Sequence, residues 1–300
     1  LKRRFTMIAY RHDRLRPPFA WFGGKQWLGR IIYRYIPPHK RFVDLFTGST
    51  AILCAKPPSP IEIINDLDSG IVNFYRVLRD PAKLPALLHL LSLTLWSREE
   101  YHHCTEHWEE YSDDVQRAWA WYVAIKQTWN GSFGSGWSRQ KNRVRRGIAK
   151  NVSDWLSSID LLPEIHARLQ TVQIENLDFR RLLPVFDYPD TWFYADPTYV
   201  HSTRGRGRYV HEMTDGDHVD LVGLLLNLKG MCLLSGYKTS IYEPLEESGW
   251  LREEFKTVCY ATHLLVPSGD GEMKRPERVE CLWLSPSLQK ALREARLKAA

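Results

Sequence analysis

The tetrapeptide Asp196-Pro197-Thr198-Tyr199 is the group of residues in this sequence best suited to chemistry. It follows an apolar aromatic run at residues 191–195, which is typical of a buried strand, so its polar groups are expected at the carboxyl edge of a sheet. A carboxylate and a neighbouring carbonyl can accept both hydrogens of an exocyclic amine, while a tyrosine offers a stacking face for a flipped base. An isolated tetrapeptide of this kind is more often a turn with a buried tyrosine. The pattern therefore needs support from the rest of the chain.

A glycine turn near residue 48 provides the first support. Asp44 lies in a short β-like run, and Thr47-Gly48-Ser49 then leads into a helix of small residues. A strand, a glycine turn and a helix can place a nucleotide-like ligand at the sheet edge, although many such turns bind nothing. The chain lacks the G-x-G-x-x-G fingerprint, which disfavours a pyrophosphate ligand and a dinucleotide-dependent oxidoreductase.

Two carboxylates, Asp66 and Asp68, follow the next β-like run. A carboxylate about 20 residues past the glycine turn can bind both hydroxyls of a ribose. Either aspartate could instead cap the following helix, and we expect one of the two to do so. The turn and the acids together favour a cofactor that carries a ribose.

The hydrophobic periodicity places these motifs in an interrupted α/β sheet. Strands are predicted at residues 41–46, 61–66, 172–175, 191–195, 231–235 and 280–284, and most of them alternate with helices. Helices are also predicted up to residue 36 and over residues 239–248. The strand signal disappears over residues 82–129, which are helical in period, and a helix is predicted again over 153–169. A parallel α/β sheet with a helical insert of roughly 80 residues fits this pattern.

Basic residues are concentrated in two segments of the chain. The net charge is +6, but residues 1–16 and 131–150 together carry +11 and the rest carries −5. Such a concentration favours a polyanion held at these segments, as in nucleic-acid binding. A solvated tail and a solubilising loop would give the same count.

Composition narrows the class of protein further. The chain is 44% hydrophobic and 25% charged, which is typical of a globular protein. Its longest apolar run, near residues 221–226, is too short to cross a bilayer, and its basic start has no apolar stretch of a signal peptide. Five cysteines without a C-x-x-C pair are typical of reduced thiols, so a cytoplasmic location is expected. His102, His103, Cys104 and His107 lack a second ligand group at zinc spacing, and no metal is predicted.

Five motifs in a fixed order carry a family resemblance. They are Trp21-Phe-Gly-Gly-Lys25, Asp44-Leu-Phe-Thr-Gly48-Ser, Asn65-Asp66-Leu-Asp68, Asn176-Leu-Asp178-Phe179 and Asp196-Pro-Thr-Tyr199. With this set the chain resembles the Dam-type (D12 class) adenine-N6 DNA methyltransferases, especially phage and prophage members. Leu234-Ser235-Gly236-Tyr237 and Arg278-Val279-Glu280-Cys281-Leu282 extend the resemblance, which covers roughly residues 17–285.

The resemblance implies a fold and a partner. The fold would be a Rossmann-like S-adenosylmethionine-dependent methyltransferase sheet with a mainly helical inserted target-recognition domain. The catalytic domain would comprise residues 17–84 and 168–285, and the insert residues 85–167. Residues 1–16 would form a basic tail and residues 286–300 a C-terminal helix. The expected partner is double-stranded DNA in a bacterial or phage-infected cell, without membrane or metal, and a monomer or weak dimer is expected.

The resemblance also implies roles for individual residues. The catalytic residues would be Asp196, Pro197 and Tyr199. The cofactor would be held by Trp21, Lys25, Phe46, Gly48, Asp66, Asp178, Phe179 and Asp196. In that set, Asp66 would bind the ribose, and Asp178 with Phe179 would hold the adenine. DNA would be contacted by Arg139, Lys141, Arg143, Arg145, Arg146, Arg204, Arg206 and Arg208.

Two residues depart from the family pattern. Thr198 replaces the second proline of the usual Asp-Pro-Pro-Tyr, but the carboxylate, the first proline and the aromatic ring remain, so a slower reaction of the same type is expected. Thr50 stands where many members have a second glycine, and its side chain is expected to be tolerated through a negative φ. The lead interpretation is a site-specific DNA adenine-N6 methyltransferase. The alternatives are a catalytically impaired DNA-binding member, or a cytosine-N4 or RNA methyltransferase.

Overall fold

A mixed seven-stranded sheet forms the centre of the protein. The computed structural model describes residues 15–21, 23–25, 29–203, 210–258, 266–267, 273–274 and 277–299. The strands of the central sheet are β1 (Arg41–Asp44), β2 (Ile61–Asn65), β3 (Val172–Glu175), β4 (Thr191–Ala195), β5 (Met231–Gly236), β6 (Leu251–Val258) and β7 (Glu277–Leu284). They lie in the order β3-β2-β1-β4-β5-β7-β6, in which β7 is antiparallel to both neighbours and the first five are parallel.

This strand order determines where a ligand can bind. The chain proceeds from β1 outward to β3 on one side, and from β4 outward to β5 on the other. The connections therefore diverge between β1 and β4, which opens a crevice at the carboxyl ends of these strands. The predicted α/β class with a mostly parallel sheet is confirmed.

Helices cover both faces of the sheet. They are α1 (Gly29–Ile32), α2 (Ala51–Ala55), α3 (Ser69–Arg79), α4 (Leu84–Leu93), α5 (Arg98–His107), α6 (Asp114–Gln127), α7 (Lys150–Leu169), α8 (Phe179–Val185), α9 (Asp215–Leu226), α10 (Glu243–Glu247) and α11 (Pro286–Ala299). Two short antiparallel pairs lie outside the sheet, Val144–Arg145 with Ile148–Ala149 and Val266–Pro267 with Met273–Lys274. None of the described helices is both long and apolar enough to cross a membrane.

The strands alternate between two hydrophobic cores, as expected for a sheet that is covered on both faces. Phe42 and Tyr194 belong to one core, and their chain neighbours Val43 and Phe193 belong to the other. The first core also contains Trp121 of α6, so the helical segment packs directly on the sheet. That residues 85–167 form a target-recognition domain stays a prediction.

The structure differs from the predicted elements in four places. Of the helix expected up to residue 36, the described residues form the short α1, followed by a 3-10 turn at Tyr33–Tyr35. The helix expected over residues 239–248 is a 3-10 turn followed by the short α10. Strand β6 and helix α8 were not predicted, because four of the eight residues of β6 are charged and α8 contains a proline.

Candidate active site

One cleft at the carboxyl ends of β1, β2 and β4 contains most of the predicted site. It encloses about 1100 Å³ of space, counting the part open to solvent. Nine of the predicted residues line it: Trp21, Lys25, Phe46, Gly48, Asp66, Asp178, Phe179, Asp196 and Pro197. Tyr199 is buried directly beside this cleft, where its ring faces Lys25.

The glycine turn after β1 is built around Gly48. This residue has a φ of +45°, and a Cβ here would lie 2.8 Å from Trp21 Cδ1. Glycine is therefore required both by the backbone conformation and by the close approach of the indole. The Gly48 amide donates a hydrogen bond to Asp66 Oδ2 at 2.9 Å, which ties the turn to the end of β2.

The two aspartates after β2 have different roles. Asp68 caps α3 by accepting hydrogen bonds from the amides of Gly70 at 2.7 Å and Ile71 at 3.3 Å. Asp66 lies in the cleft and accepts hydrogen bonds from the Gly48 and Asp68 amides, at 2.9 and 3.0 Å. The expectation that one of the pair caps the helix is confirmed. Burial raises the pKa of Asp66 to about 7.

Asn65 connects the ends of three strands and was not predicted as a site residue. Its side-chain amide donates to the carbonyls of Leu45 and Leu177, both at 3.0 Å, and its Oδ1 accepts from the Leu177 amide at 2.9 Å. These bonds hold the segments after β1 and β3 at the end of β2. A buried amide that ends an apolar strand is the signal that could have identified it.

The turn that contains the predicted catalytic residues, Asp196–Tyr199, holds an ammonium group. Lys25 Nζ lies 2.7 Å from Asp196 Oδ1 and 4.6 Å from the centroid of the Tyr199 ring, and it donates to the Gly23 carbonyl at 2.8 Å. Ser235 Oγ donates to the same Asp196 oxygen at 2.8 Å. The carboxylate and the aromatic face thus hold one cationic nitrogen between them.

Glu280 and Tyr237 hold the Tyr199 side chain in place. Its hydroxyl donates to Glu280 Oε2 at 2.6 Å, and its ring meets Tyr237 edge-on with centroids 4.6 Å apart. Burial raises the pKa of both Tyr199 and Glu280, so the hydroxyl keeps its proton. Glu280 was not predicted as a site residue, although an acid inside the apolar strand β7 is an unusual feature.

Asp44, at the end of β1, is a second buried carboxyl on the cleft. It is 2% exposed, and its Oδ2 accepts a hydrogen bond from Thr47 Oγ1 at 3.2 Å. Its Oδ1 has no hydrogen-bond partner among the described residues. Burial and the nearby charge of Asp196 raise the pKa of Asp44 well above its usual value. An acceptor left in this state is available to a donor on a ligand.

The predicted adenine-binding pair lies at the start of α8. Phe179 faces Phe46, with ring centroids 5.8 Å apart. The Asp178 carboxylate caps α8 and pairs with Arg180 at 2.9 Å. Arg180 also pairs with Asp217, and its guanidinium lies 4.5 Å from the Phe179 ring centroid. In the free chain Asp178 is therefore engaged by a neighbouring cation.

The two departures from the family pattern have structural explanations. Thr198 Oγ1 accepts a hydrogen bond from the Met213 amide at 2.9 Å. The expectation of a negative φ at Thr50 is wrong, because the residue has a φ of 58° in the left-handed region. Its buried hydroxyl donates to the Ser49 carbonyl at 2.6 Å, and Tyr75 braces the same turn by donating to the Gly48 carbonyl at 3.0 Å. Local bonding thus stabilises a conformation that costs a β-branched residue about 1–3 kcal/mol.

The predicted DNA-binding residues differ in their surroundings. Arg139, Lys141 and Arg143 are exposed. Arg145 pairs with Asp154 at 2.6 Å, and Arg146 donates to Ser157 Oγ at 2.8 Å, so both contact α7. Arg204, Arg206 and Arg208 lie outside the described residues, as does most of the basic segment 1–16.

The histidine cluster of α5 forms ordinary polar contacts. His103 Nε2 lies 3.0 Å from the Tyr111 hydroxyl, and His107 pairs with Glu110 at 2.9 Å. Cys104 is buried in the core. The described part of the chain contains no group of three or more histidine, cysteine or acidic side chains that could hold a metal ion.

Known proteins resemble this chain to different extents. The family model of D12 class N6 adenine-specific DNA methyltransferases matches residues 21–257. The DNA N-6-adenine-methyltransferase of Escherichia phage P1 is 29% identical over 115 residues, which span 38% of this chain and 15% of the phage protein. The solved precorrin-8w decarboxylase of Methanobacterium thermoautotrophicum is 8% identical, with 91% of this chain and 97% of that chain covered, at a TM-score of 0.37. A likeness that weak bears on neither fold nor function.

Proposed function

We propose that this chain, which belongs to the D12 class of N6 adenine-specific DNA methyltransferases, methylates adenine in DNA with S-adenosylmethionine as the methyl donor. One observation carries the proposal. Asp196 and Tyr199 already hold a nitrogen donor, Lys25 Nζ, between a carboxylate oxygen and an aromatic face. An adenine amine would make the same two contacts, with its base stacked on the tyrosine.

The cleft beside this turn suits the proposed cofactor. Among its described lining residues, carboxyl groups outnumber cations, and the cation Arg180 is committed to Asp178 and Asp217. S-adenosylmethionine carries an ammonium and a sulfonium, so an acidic cleft favours it electrostatically. The Oδ1 of Asp44, which has no hydrogen-bond partner among the described residues, and the carboxyl of the half-buried Asp66 are acceptors for donors on such a ligand. The residues present therefore fit the group.

Each residue then has a defined task. Asp66 would accept the ribose hydroxyls, Trp21 and Gly48 would form the wall beneath the cofactor, and Phe179 would pack on its adenine. When bound, S-adenosylmethionine supplies a methyl group that is already activated on sulfur. The Asp196 carboxylate and the Pro197 carbonyl would accept the two hydrogens of the target amine and direct its lone pair towards that methyl group. Positioning provides most of the acceleration in such a site.

Lys25 would compete with the target adenine for the position between Asp196 and Tyr199. Its ammonium occupies the position between Asp196 and Tyr199, so the adenine amine must displace it. Ser235 stays bonded to Asp196 and Glu280 stays bonded to Tyr199 in this exchange, because neither contact involves the lysine. The receiving geometry is thus preserved while the nitrogen donor changes.

The basic segment 139–146 is the proposed DNA contact. All of its residues except the half-buried Gln140 are exposed, and it leads into the short hairpin that ends at Ala149. Arginine and lysine there would bind phosphates, and the helices α4–α7 would position them. Replacing Lys141 and Arg143 with alanine should weaken DNA binding and reduce its salt slope by about 2, since each phosphate contact contributes roughly 0.9.

Transfer of a labelled methyl group from S-adenosylmethionine to unmethylated duplex DNA tests the proposal. Nucleoside analysis should yield N6-methyladenine with the wild-type chain and none with Asp196→Asn. Asp160→Asn removes the same charge from an exposed position of α7 and should retain activity. DNA binding without incorporation would instead indicate a catalytically impaired binder. N4-methylcytosine, or a product found only in RNA, would contradict adenine methylation of DNA.

A further inference from the structure

The residue that replaces the second proline of the catalytic turn makes a bond across the cleft. Thr198 Oγ1 accepts a hydrogen bond from the backbone amide of Met213 at 2.9 Å. Both residues line the cleft, and they are 15 positions apart in the chain. The bond therefore connects the catalytic turn to a separate segment of the cleft wall, residues 210–213.

The 210–213 wall is an irregular segment that leads into α9. Val210, His211 and Glu212 are exposed and belong to no helix or strand. At its far end the wall runs into Thr214, which caps α9 through a reciprocal pair of bonds with Asp217. The Met213 side chain packs against the second core. The helix cap and the Met213 contacts thus position one end of the wall, and Thr198 supplies its hydrogen bond to the catalytic turn.

A proline at position 198 could not make this bond, because its side chain has no acceptor. The Met213 amide would then need another partner, since an unpaired buried amide is costly. Threonine gives up the rigidity of a second ring in the turn, but it adds a constraint that reaches across to the wall. The substitution thus replaces a local restraint with a bond between two segments.

We propose that the Thr198 hydroxyl is a positioning group that fastens the 210–213 wall to the catalytic turn and so retains the ligand in the cleft. The retention part depends on the proposed function, because it takes the ligand to be the cofactor. The fastening itself does not depend on that function. Thr198 acts through the wall and is distinct from Asp196 and Tyr199, which would contact the base.

Hydrogen exchange at the Met213 amide measures the fastening directly. Thr198→Val keeps the shape of the side chain and removes the acceptor, so exchange at Met213 should accelerate about threefold to tenfold. Thr198→Pro should accelerate it too, whereas Thr198→Ser retains a hydroxyl and should restore the wild-type rate. Thr203→Val is the matched control, because the Thr203 hydroxyl donates to the carbonyl of Val200, three residues earlier, at 2.7 Å.

Dissociation of S-adenosylhomocysteine, followed by stopped-flow fluorescence, measures retention. It should be about threefold to tenfold faster in Thr198→Val and unchanged in Thr198→Ser and Thr203→Val. Equal Met213 exchange in the wild type and Thr198→Val would overturn the fastening. Faster exchange with unaltered dissociation would overturn the retention. Absence of methyl transfer by the wild type would refute the proposed function, yet it would leave the exchange result intact.

Discussion

Asp44 offers a direct test of how the cleft binds the proposed cofactor, because one of its carboxyl oxygens has no partner among the described residues and can accept a hydrogen bond from a ligand. The carboxyl is 2% exposed and its Oδ1 has no hydrogen-bond partner among the described residues. It ends β1 at the edge where the cleft opens. We predict that Asp44 accepts a hydrogen bond from the ammonium of the cofactor's amino-acid arm. Asp44→Asn removes the charge while keeping the size of the side chain.

The magnitude follows from the burial of the group. A hydrogen bond to a charged group contributes about 1.5–3 kcal/mol, which corresponds to roughly a 10- to 150-fold change in affinity. The pKa of Asp44 is raised by burial and by Asp196, so protonation of this carboxyl opposes the binding of a cation. The loss in Asp44→Asn should therefore be smallest at low pH and grow as the pH rises.

Titration calorimetry with two ligands separates this role from a general one. S-adenosylhomocysteine carries the amino-acid arm, whereas 5′-methylthioadenosine lacks it and shares the ribose and adenine. Asp44→Asn should weaken the first ligand and leave the second nearly unchanged. Wild-type binding of S-adenosylhomocysteine should also release protons, as measured in buffers of different ionisation enthalpy. Asp160→Asn should leave the affinity for both ligands unchanged, because Asp160 is an exposed residue of α7 that does not line the cleft.

Two results would refute the reasoning about Asp44. Equal losses for both ligands would mean that the residue supports the fold of the cleft rather than the amino-acid arm. An unchanged affinity for S-adenosylhomocysteine would mean that the ammonium of this ligand does not donate a hydrogen bond to Asp44 Oδ1.

Three further predictions follow from other parts of the molecule. Binding of 5′-methylthioadenosine should strengthen as the pH rises through about 7, since Asp66 has a pKa of about 7 and must ionise to accept both ribose hydroxyls; calorimetry should show no such trend in Asp66→Asn. In urea denaturation, the free energy of unfolding of Thr50→Gly should exceed that of Thr50→Ala by about 0.5–1 kcal/mol, because alanine is strained at a φ of 58° and glycine is not. Asp154→Asn should tighten DNA binding and steepen its salt slope, because it frees Arg145 and Lys150 from their ion pairs; fluorescence anisotropy over a salt series measures both, and an unchanged affinity and slope would contradict the prediction.

The sheet was predictable because its signals are local. Each buried strand reads as a short apolar run, and the carboxylates of Asp44, Asp66 and Asp196 mark where three of those runs end. Parallel strands bring such ends to one edge, so the cleft follows from the pattern. Strand β6 could not be predicted in the same way. It is an edge strand in which four of eight residues are charged, and it is stabilised by its pairing with β7 in the folded sheet.

The backbone conformation at the glycine turn could not be predicted from residue types alone. Gly48 adopts the positive φ that its type permits, but Thr50 does so as well, against its own preference. The difference comes from the surroundings of Thr50. Its hydroxyl bonds to Ser49, and Tyr75, which lies 25 residues further on, braces the turn from α3. A propensity argument considers one residue, whereas this φ is determined by several groups that meet only in the folded chain.

The ion-pair partner of Lys25 could likewise not be predicted from the sequence. The resemblance placed this residue against the cofactor, and in the structure its ammonium bonds to Asp196 and lies on Tyr199. Lys25, Asp196 and Glu280 are far apart in the chain, but folding brings the two carboxyls close enough for one ammonium to act on both. A buried charge requires a partner, and which cation supplies it depends on every nearby carboxyl at once. Sequence motifs can therefore identify acids such as Asp66 and Asp196, while the pairing of the site's charges depends on the packing of β4, β7 and the segment before α1.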